Sequence, residues 1–192
     1  MVDARDPGQV PVTAPPRAVR RAPSLVLVAT GDGKGKTTAA MGTVVRALAR
    51  GWRVCVVQFI KSGSWHTGEI KVLSGLGATW HSLGDGFTWD SDDLERSAEL
   101  ARAAWEVAAD AISSGEFQLV VLDEVTYPLN WGWLDSDAFV ATIAGRAQRT
   151  NVFITGRNAS EAVVAVADTV TEMRNVKHAF EAGIRAAKGI DF

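Results

Sequence analysis

Beyond residue 24 the chain alternates short, unbroken apolar runs with stretches whose apolar residues return every three or four positions. Residues 25–30 (LVLVAT), 53–60 (RVCVVQFI), 117–123 (FQLVVLD) and 151–155 (NVFIT) are runs of the first kind. A strand with one wet face alternates apolar and polar residues, so an uninterrupted run fits a strand covered on both faces. Residues 36–50 are of the second kind. Ala39, Ala40, Val44, Ala47 and Leu48 share a helical face there, and Gly51 is placed to cap the end. Residues 91–114 form a longer one, with Leu94, Ala98, Ala101, Trp105, Ala108 and Ile112 stepping by four and three. Ser91 and Asp92 can cap its start, and Gly115 ends it. Shorter helices are expected over 68–76, 135–148 and 159–167, and shorter strands over 78–82 and 169–173.

Strands alternating with helices predict an α/β fold, a mostly parallel sheet with helices on both faces. In such sheets ligands bind beyond the carboxyl ends of the strands. The loops after Thr30, Ile60, Asp123 and Thr155 therefore fall together as the expected site. Residues 24–192 form one expected domain. Residues 1–23 hold five of the six prolines and close on Arg17, Arg20 and Arg21, which reads as a flexible N-terminal arm.

Composition changes this picture little. The 192 residues are 47% hydrophobic and 22% charged, with a net charge of −2. That balance gives no general attraction to nucleic acid or to an anionic membrane. Cys55 is the only cysteine, so an intrachain disulfide is excluded, and with three histidines a structural zinc site is not expected. It reads as a small core residue. No run approaches the ~20 apolar residues of a membrane span, and the N-terminus lacks a secretory pattern, so a cytoplasmic location is the expectation. Seven tryptophans are many for this length. Trp65, Trp89, Trp131 and Trp133 lie in glycine-rich segments, where they suit either a flat apolar ligand or the anchoring of loops.

The densest chemistry lies at residues 30–38 (TGDGKGKTT), between the first expected strand and its helix. Gly31, Gly33 and Gly35 let the backbone curl so that amides face phosphate oxygens, and the helix N-terminus adds partial positive charge. Lys36 can reach the outer phosphates, and the Thr37 hydroxyl can ligate Mg²⁺. This is a P-loop, with Thr30 standing where the strict pattern has glycine. Gly31, Asp32, Gly33, Lys34, Gly35, Lys36, Thr37 and Thr38 are the candidate ATP-binding residues. Asp123 and Glu124 end an apolar strand that parallel topology can set beside this loop, directly on the metal or through water. These residues define a Mg-nucleotide site and not what is done with the nucleotide.

Six motifs in order carry a resemblance: TGDGKGKTTAA at 30–40, VVQFIK at 56–61, GDGFTW at 84–89, VVLDEVTYPLNWGWL at 120–134, ITGR at 154–157 and VTEMRNVKHAFEAGIRAAKGIDF at 170–192. Across residues 25–192 the chain resembles the P-loop-type ATP:corrinoid adenosyltransferases, whose fold is of the P-loop NTPase (RecA-like) kind. The resemblance implies that a corrinoid cobalt(I) attacks C5′ of ATP and expels triphosphate. No proton leaves that nucleophile, so no general base is needed. What is needed is alignment, and neutralisation of charge on the leaving group. Lys36 and Glu124 are the implied catalytic residues, with Mg²⁺ on Thr37 and Glu124, and Asp123 one step behind or sharing the metal. Phe87 and Trp89 would pack on the lower face of the corrinoid, and Arg46 would lie near the nucleotide. Arg157, Lys177 and His178 fall within motifs but receive no task.

One departure stands out: Asp32 occupies a position where the family usually has Asn. A carboxylate facing a triphosphate is repelled, so Asp32 should turn outward or meet the metal. The resemblance further implies a homodimer, an N-terminal arm lying over a neighbouring site, and a reduced flavoprotein as electron donor. The acceptor is left open among cob(I)alamin, cobinamide and cobyrinic acid diamide. The competing readings are an ATP-hydrolysing switch or motor of the same fold, and a corrinoid-carrying or sensing module that binds ATP without turnover.

Overall fold

The computed structural model describes residues 21–62, 67–84 and 94–191. Six strands form one fully parallel sheet in the order β3-β2-β4-β5-β1-β6. They are β1 (Val26–Thr30), β2 (Val54–Ser62), β3 (Thr79–Gly84), β4 (Leu119–Asp123), β5 (Asn151–Thr155) and β6 (Thr169–Glu172). The helices between them are α1 (Lys36–Ala49), α2 (Gly68–Gly75), α3 (Leu94–Ser113), α4 (Thr126–Asn130), α5 (Ser136–Ala144) and α6 (Glu161–Val166).

The unbroken apolar runs are explained by two cores. Successive side chains of a strand point to opposite faces. Val120 and Leu122 of β4 join one core with Val57, Ala108, Ile112, Phe139 and Ile154. Leu119 and Val121 join the other with Ala40, Val44, Ala47, Val56 and Phe153. Every residue of β4 is therefore buried. Cys55 lies in the first core, and burial pushes its thiol up to about 11, as suits an inert core residue.

Three differences from the sequence expectation have local causes. Helix α5 stops at Ala144, not near 148, because Gly145 caps it and donates to the Ala141 carbonyl (2.8 Å). Helix α4 was not expected: five residues are too few to show a period, and Pro128 is tolerated only because it sits in the first turn. A 3-10 turn, Ala179–Ala182, interrupts the aperiodic C-terminal segment. Trp131 meets Trp133 in a tilted ring contact (centroids 4.7 Å, 55°) and Tyr127 in another (5.5 Å, 34°), which favours the loop-anchoring reading of these two tryptophans. The N-terminal arm up to residue 20, the proposed caps Ser91 and Asp92, Trp65, and the FTW segment with Phe87 and Trp89 lie outside the described residues. Among the described residues no helix is long and apolar enough to cross a membrane.

Candidate active site

The four expected loops do meet. A cavity of 270 Å³ is lined by the phosphate loop (residues 32–38), Lys61 at the end of β2, Glu124 and Tyr127 after β4, and Arg157 after β5. Thr67 and Glu69 at the start of α2 and Ile190 and Asp191 near the C-terminus complete it. The neighbouring parallel strands β2, β4, β5 and β1 deliver Lys61, Glu124, Tyr127, Arg157 and the phosphate loop from their carboxyl ends.

The loop leaves β1 at Thr30 and enters α1 through Gly35, whose φ of +106° suits glycine. Gly31 and Gly33 have a second reason to be glycine. A Cβ on Gly31 would lie 2.5 Å from the Met173 carbonyl oxygen, and one on Gly33 would lie 2.8 Å from it. The Gly33 amide donates to that carbonyl (2.7 Å), and the Met173 amide donates to Thr30 (2.8 Å). The segment after β6 is thus sewn to the phosphate loop, and the Gly33 amide is engaged by protein. Lys36 reaches back across the loop, its Nζ donating to the carbonyls of Gly31 (2.6 Å) and Gly33 (2.7 Å). Burial, then the charge of Arg157, hold its ammonium below the ordinary value.

The two adjacent acids live in opposite environments. Asp123 is fully buried. Its Oδ1 accepts from Thr37 (2.9 Å) and Thr155 (2.7 Å), and its Oδ2 from Gln58 (2.9 Å) and Lys61 (3.2 Å). Burial alone would raise its pKa; the Lys61 charge and the hydrogen bonds outweigh it, and the carboxyl sits below its usual value. Lys61 is raised in turn, because Asp123 and Glu124 outweigh its own burial. Glu124 follows at a φ of +66°, a left-handed conformation costly for any residue but glycine, with its amide donating to Thr155 (3.0 Å). Its side chain lines the cavity, within reach of the charges of Lys61, Lys36 and Arg157. Burial, then the charge of Asp123, push it up to about 7.

Behind Asp123 the network continues. The Gln58 Oε1 accepts from Ser82 (2.9 Å) and from the Trp80 indole (3.2 Å), which joins the edge strand β3 to the phosphate site. Gln58, Lys61 and Thr155 were missed at the sequence level. The available signal was a glutamine and a lysine at the end of an otherwise apolar strand.

Arg46, Lys177 and His178 fall apart from the cavity. Arg46 is exposed in the last turn of α1 and does not line it. His178 accepts the Phe180 amide on its Nδ1 (3.1 Å), capping the 3-10 turn. Lys177 and His178 line a separate space of 480 Å³ between the phosphate loop and the C-terminal segment. Asp32 lines the phosphate cavity itself.

The family model described as ATP:corrinoid adenosyltransferase BtuR/CobO/CobP matches residues 22–192. The chain belongs to the ATP:corrinoid adenosyltransferases. It is 45% identical over 170 residues to the corrinoid adenosyltransferase of Pseudomonas aeruginosa, covering 88% of this chain and 83% of that one. It is 41% identical over 168 residues to the corrinoid adenosyltransferase of Escherichia coli K12 (88% and 85% covered). It is 40% identical over 168 residues to corrinoid adenosyltransferase CobA of Salmonella typhimurium, with the same coverage.

For an adenosyltransferase that uses ATP, a divalent cation is the natural companion of the phosphates, and the side chains suit one. Thr37 gives its hydroxyl hydrogen to Asp123, which leaves the oxygen lone pairs for a cation. Glu124 adds a second hard oxygen in the same cavity. One or two protein oxygens completed by phosphate and water is the habit of Mg²⁺. Asp123 does not suit direct ligation, because both its oxygens are engaged and it has no exposed surface.

Proposed function

We propose that this chain transfers the 5′-deoxyadenosyl group of ATP to the Co(I) centre of a corrinoid. The cobalt electron pair forms the Co–C5′ bond, the C5′–O bond breaks, and its electrons leave with triphosphate while cobalt passes to Co(III). The supporting observation is a phosphate cavity, in a chain matched by this family over residues 22–192, that concentrates cations at the leaving-group end. Lys36, the free loop amides and the N-terminus of α1 take the growing charge. Asp123 holds Thr37, and Thr37 with Glu124 would hold Mg²⁺, which when bound supplies further neutralisation of the triphosphate. No base is called for, and the buried acid is locked in a structural task.

Within this reading Phe87 and Trp89 face the corrinoid, and cob(I)alamin, cobinamide or cobyrinic acid diamide is the acceptor. The enzyme works in the cytoplasm as a homodimer, reduced corrinoid being supplied by a flavoprotein. The arm of residues 1–23 covers a neighbouring site, so its deletion should weaken substrate affinity. The test of the function is anaerobic mixing with Mg-ATP and chemically reduced cobinamide or cobalamin. A light-sensitive organocobalt spectrum is expected. Its absence with every corrinoid tried would overturn the proposal.

A further inference from the structure

We infer that Arg157 is a further triphosphate-binding residue, a second cation beside Lys36 carried by a loop built to hold it still. Strand β5 pairs directly with β1, so the loop after Thr155 emerges next to the phosphate loop, and Arg157 lines the same cavity. Its backbone is fixed by three anchors on two elements, α4 and β1. Thr126 Oγ1 and Asn130 Nδ2 of α4 donate to the Arg157 carbonyl (2.7 and 3.3 Å), and Asn130 also donates to Asn158 (3.1 Å). The Gly156 amide donates to Ala29 of β1 (3.2 Å). A Cβ on Gly156 would lie 2.0 Å from Thr126 Oγ1, so the chain can pass α4 this closely only as glycine.

The third anchor explains an oddity of the sequence. Thr30 stands where the strict P-loop pattern has glycine, and its Oγ1 accepts the Ala159 amide (3.1 Å). The departure from the motif ties the phosphate loop to the loop that carries Arg157.

The side chain itself is unspent. Arg157 is exposed and its guanidinium pairs with no described residue. Its charge nevertheless reaches Lys36, Glu124 and Tyr127: it adds to burial in lowering Lys36 and opposes the burial that raises Glu124 and Tyr127. A solvated surface arginine has no need of a backbone clamped by α4 and β1. A fork of fixed donors that cannot lose its proton suits two oxygens of a polyphosphate, and suits them better as the leaving group gains charge.

The inference rests on the proposed transfer only for its catalytic meaning; binding tests it separately. Titration calorimetry with inorganic tripolyphosphate and Mg²⁺ is the direct readout, repeated with Mg-ATP. Arg157→Ala should weaken both by on the order of tenfold to a hundredfold, and Arg157→Lys should recover part of the loss. Thr30→Val should cause a smaller loss that vanishes in the Arg157→Ala background, the signature of a positioning residue acting through Arg157. Tripolyphosphate binding unchanged in Arg157→Ala would overturn the inference, whether or not ATP binding falls, since an effect on ATP alone would place the guanidinium on the nucleoside. Equal losses for Thr30→Val in both backgrounds would overturn the anchoring role. If wild-type protein binds tripolyphosphate but forms no organocobalt, the transfer reading fails and this one stands.

Discussion

The phosphate loop has two flanks of opposite character. On the β4 side every strand residue is buried, and one carboxylate, Asp123, collects four donors, three from strands β2 and β5 and one from Thr37 where the loop enters α1. On the β6 side every strand residue is exposed. The chain beyond it leaves Val176 (81%), Phe180 (75%) and Ile190 (83%) in solvent. Contact with the loop there is two backbone hydrogen bonds and a surface ion pair between Lys34 and Asp191. Free energies of local opening follow burial and contact density. The β4 flank therefore fixes where Thr37 sits before any ligand arrives, and the β6 flank is the one able to give when substrates enter.

The largest effect should come from breaking the stiff flank. Asp123→Ala leaves Lys61 and Gln58 buried without their acceptor and should cost about 3–5 kcal/mol of stability by urea unfolding. A loss within experimental error would mean the network is incidental. Next, Lys36→Ala should lower kcat by roughly 10²–10³-fold with little loss of stability, since the lysine serves the leaving group and not the fold.

Glu124 sharpens the contrast with its neighbour. Folding raises its carboxyl from the ordinary 4.5 to about 7. The raised pKa means the protonated form is favoured in the fold, so this group's contribution is fully present below pH 4.5 and is lost as pH rises through 7. Glu124→Gln should therefore melt with wild type near pH 4.5 and above it by a few degrees near pH 8, both without metal and nucleotide, while losing activity. A variant that melts below wild type at the higher pH would show that the carboxylate is stabilised where it stands. The smallest effect belongs to the other flank: Asp191→Ala should leave unfolding unchanged and increase amide exchange only in the segment after β6.

Much of this was legible. The strands announced themselves because burial on both faces demands unbroken apolar runs, and the phosphate loop because its glycines and lysine serve local backbone geometry. The partners of Asp123 were not legible, because they depend on register across strands. Gln58 stands beside Asp123 in the β2–β4 pairing, and the pairing of Leu122 with Ile154 brings Thr155 alongside. Nothing in a linear sequence states that register. Helix α4 was too short to show a period, and with it the anchoring of Arg157 was hidden. Arg46 was placed near the nucleotide by resemblance, whereas the length of α1 carries it about 15 Å along the axis from Lys36.

The central claim is that the cavity stabilises a departing triphosphate, and the phosphate products report on that most directly. A single-turnover reaction with Mg-ATP and reduced corrinoid, followed by phosphorus NMR and visible absorption together, should show intact triphosphate appearing in step with the organocobalt species, one for one. ADP and inorganic phosphate in its place, with the corrinoid spectrum unchanged, would contradict the account and make this cavity the site of a hydrolase.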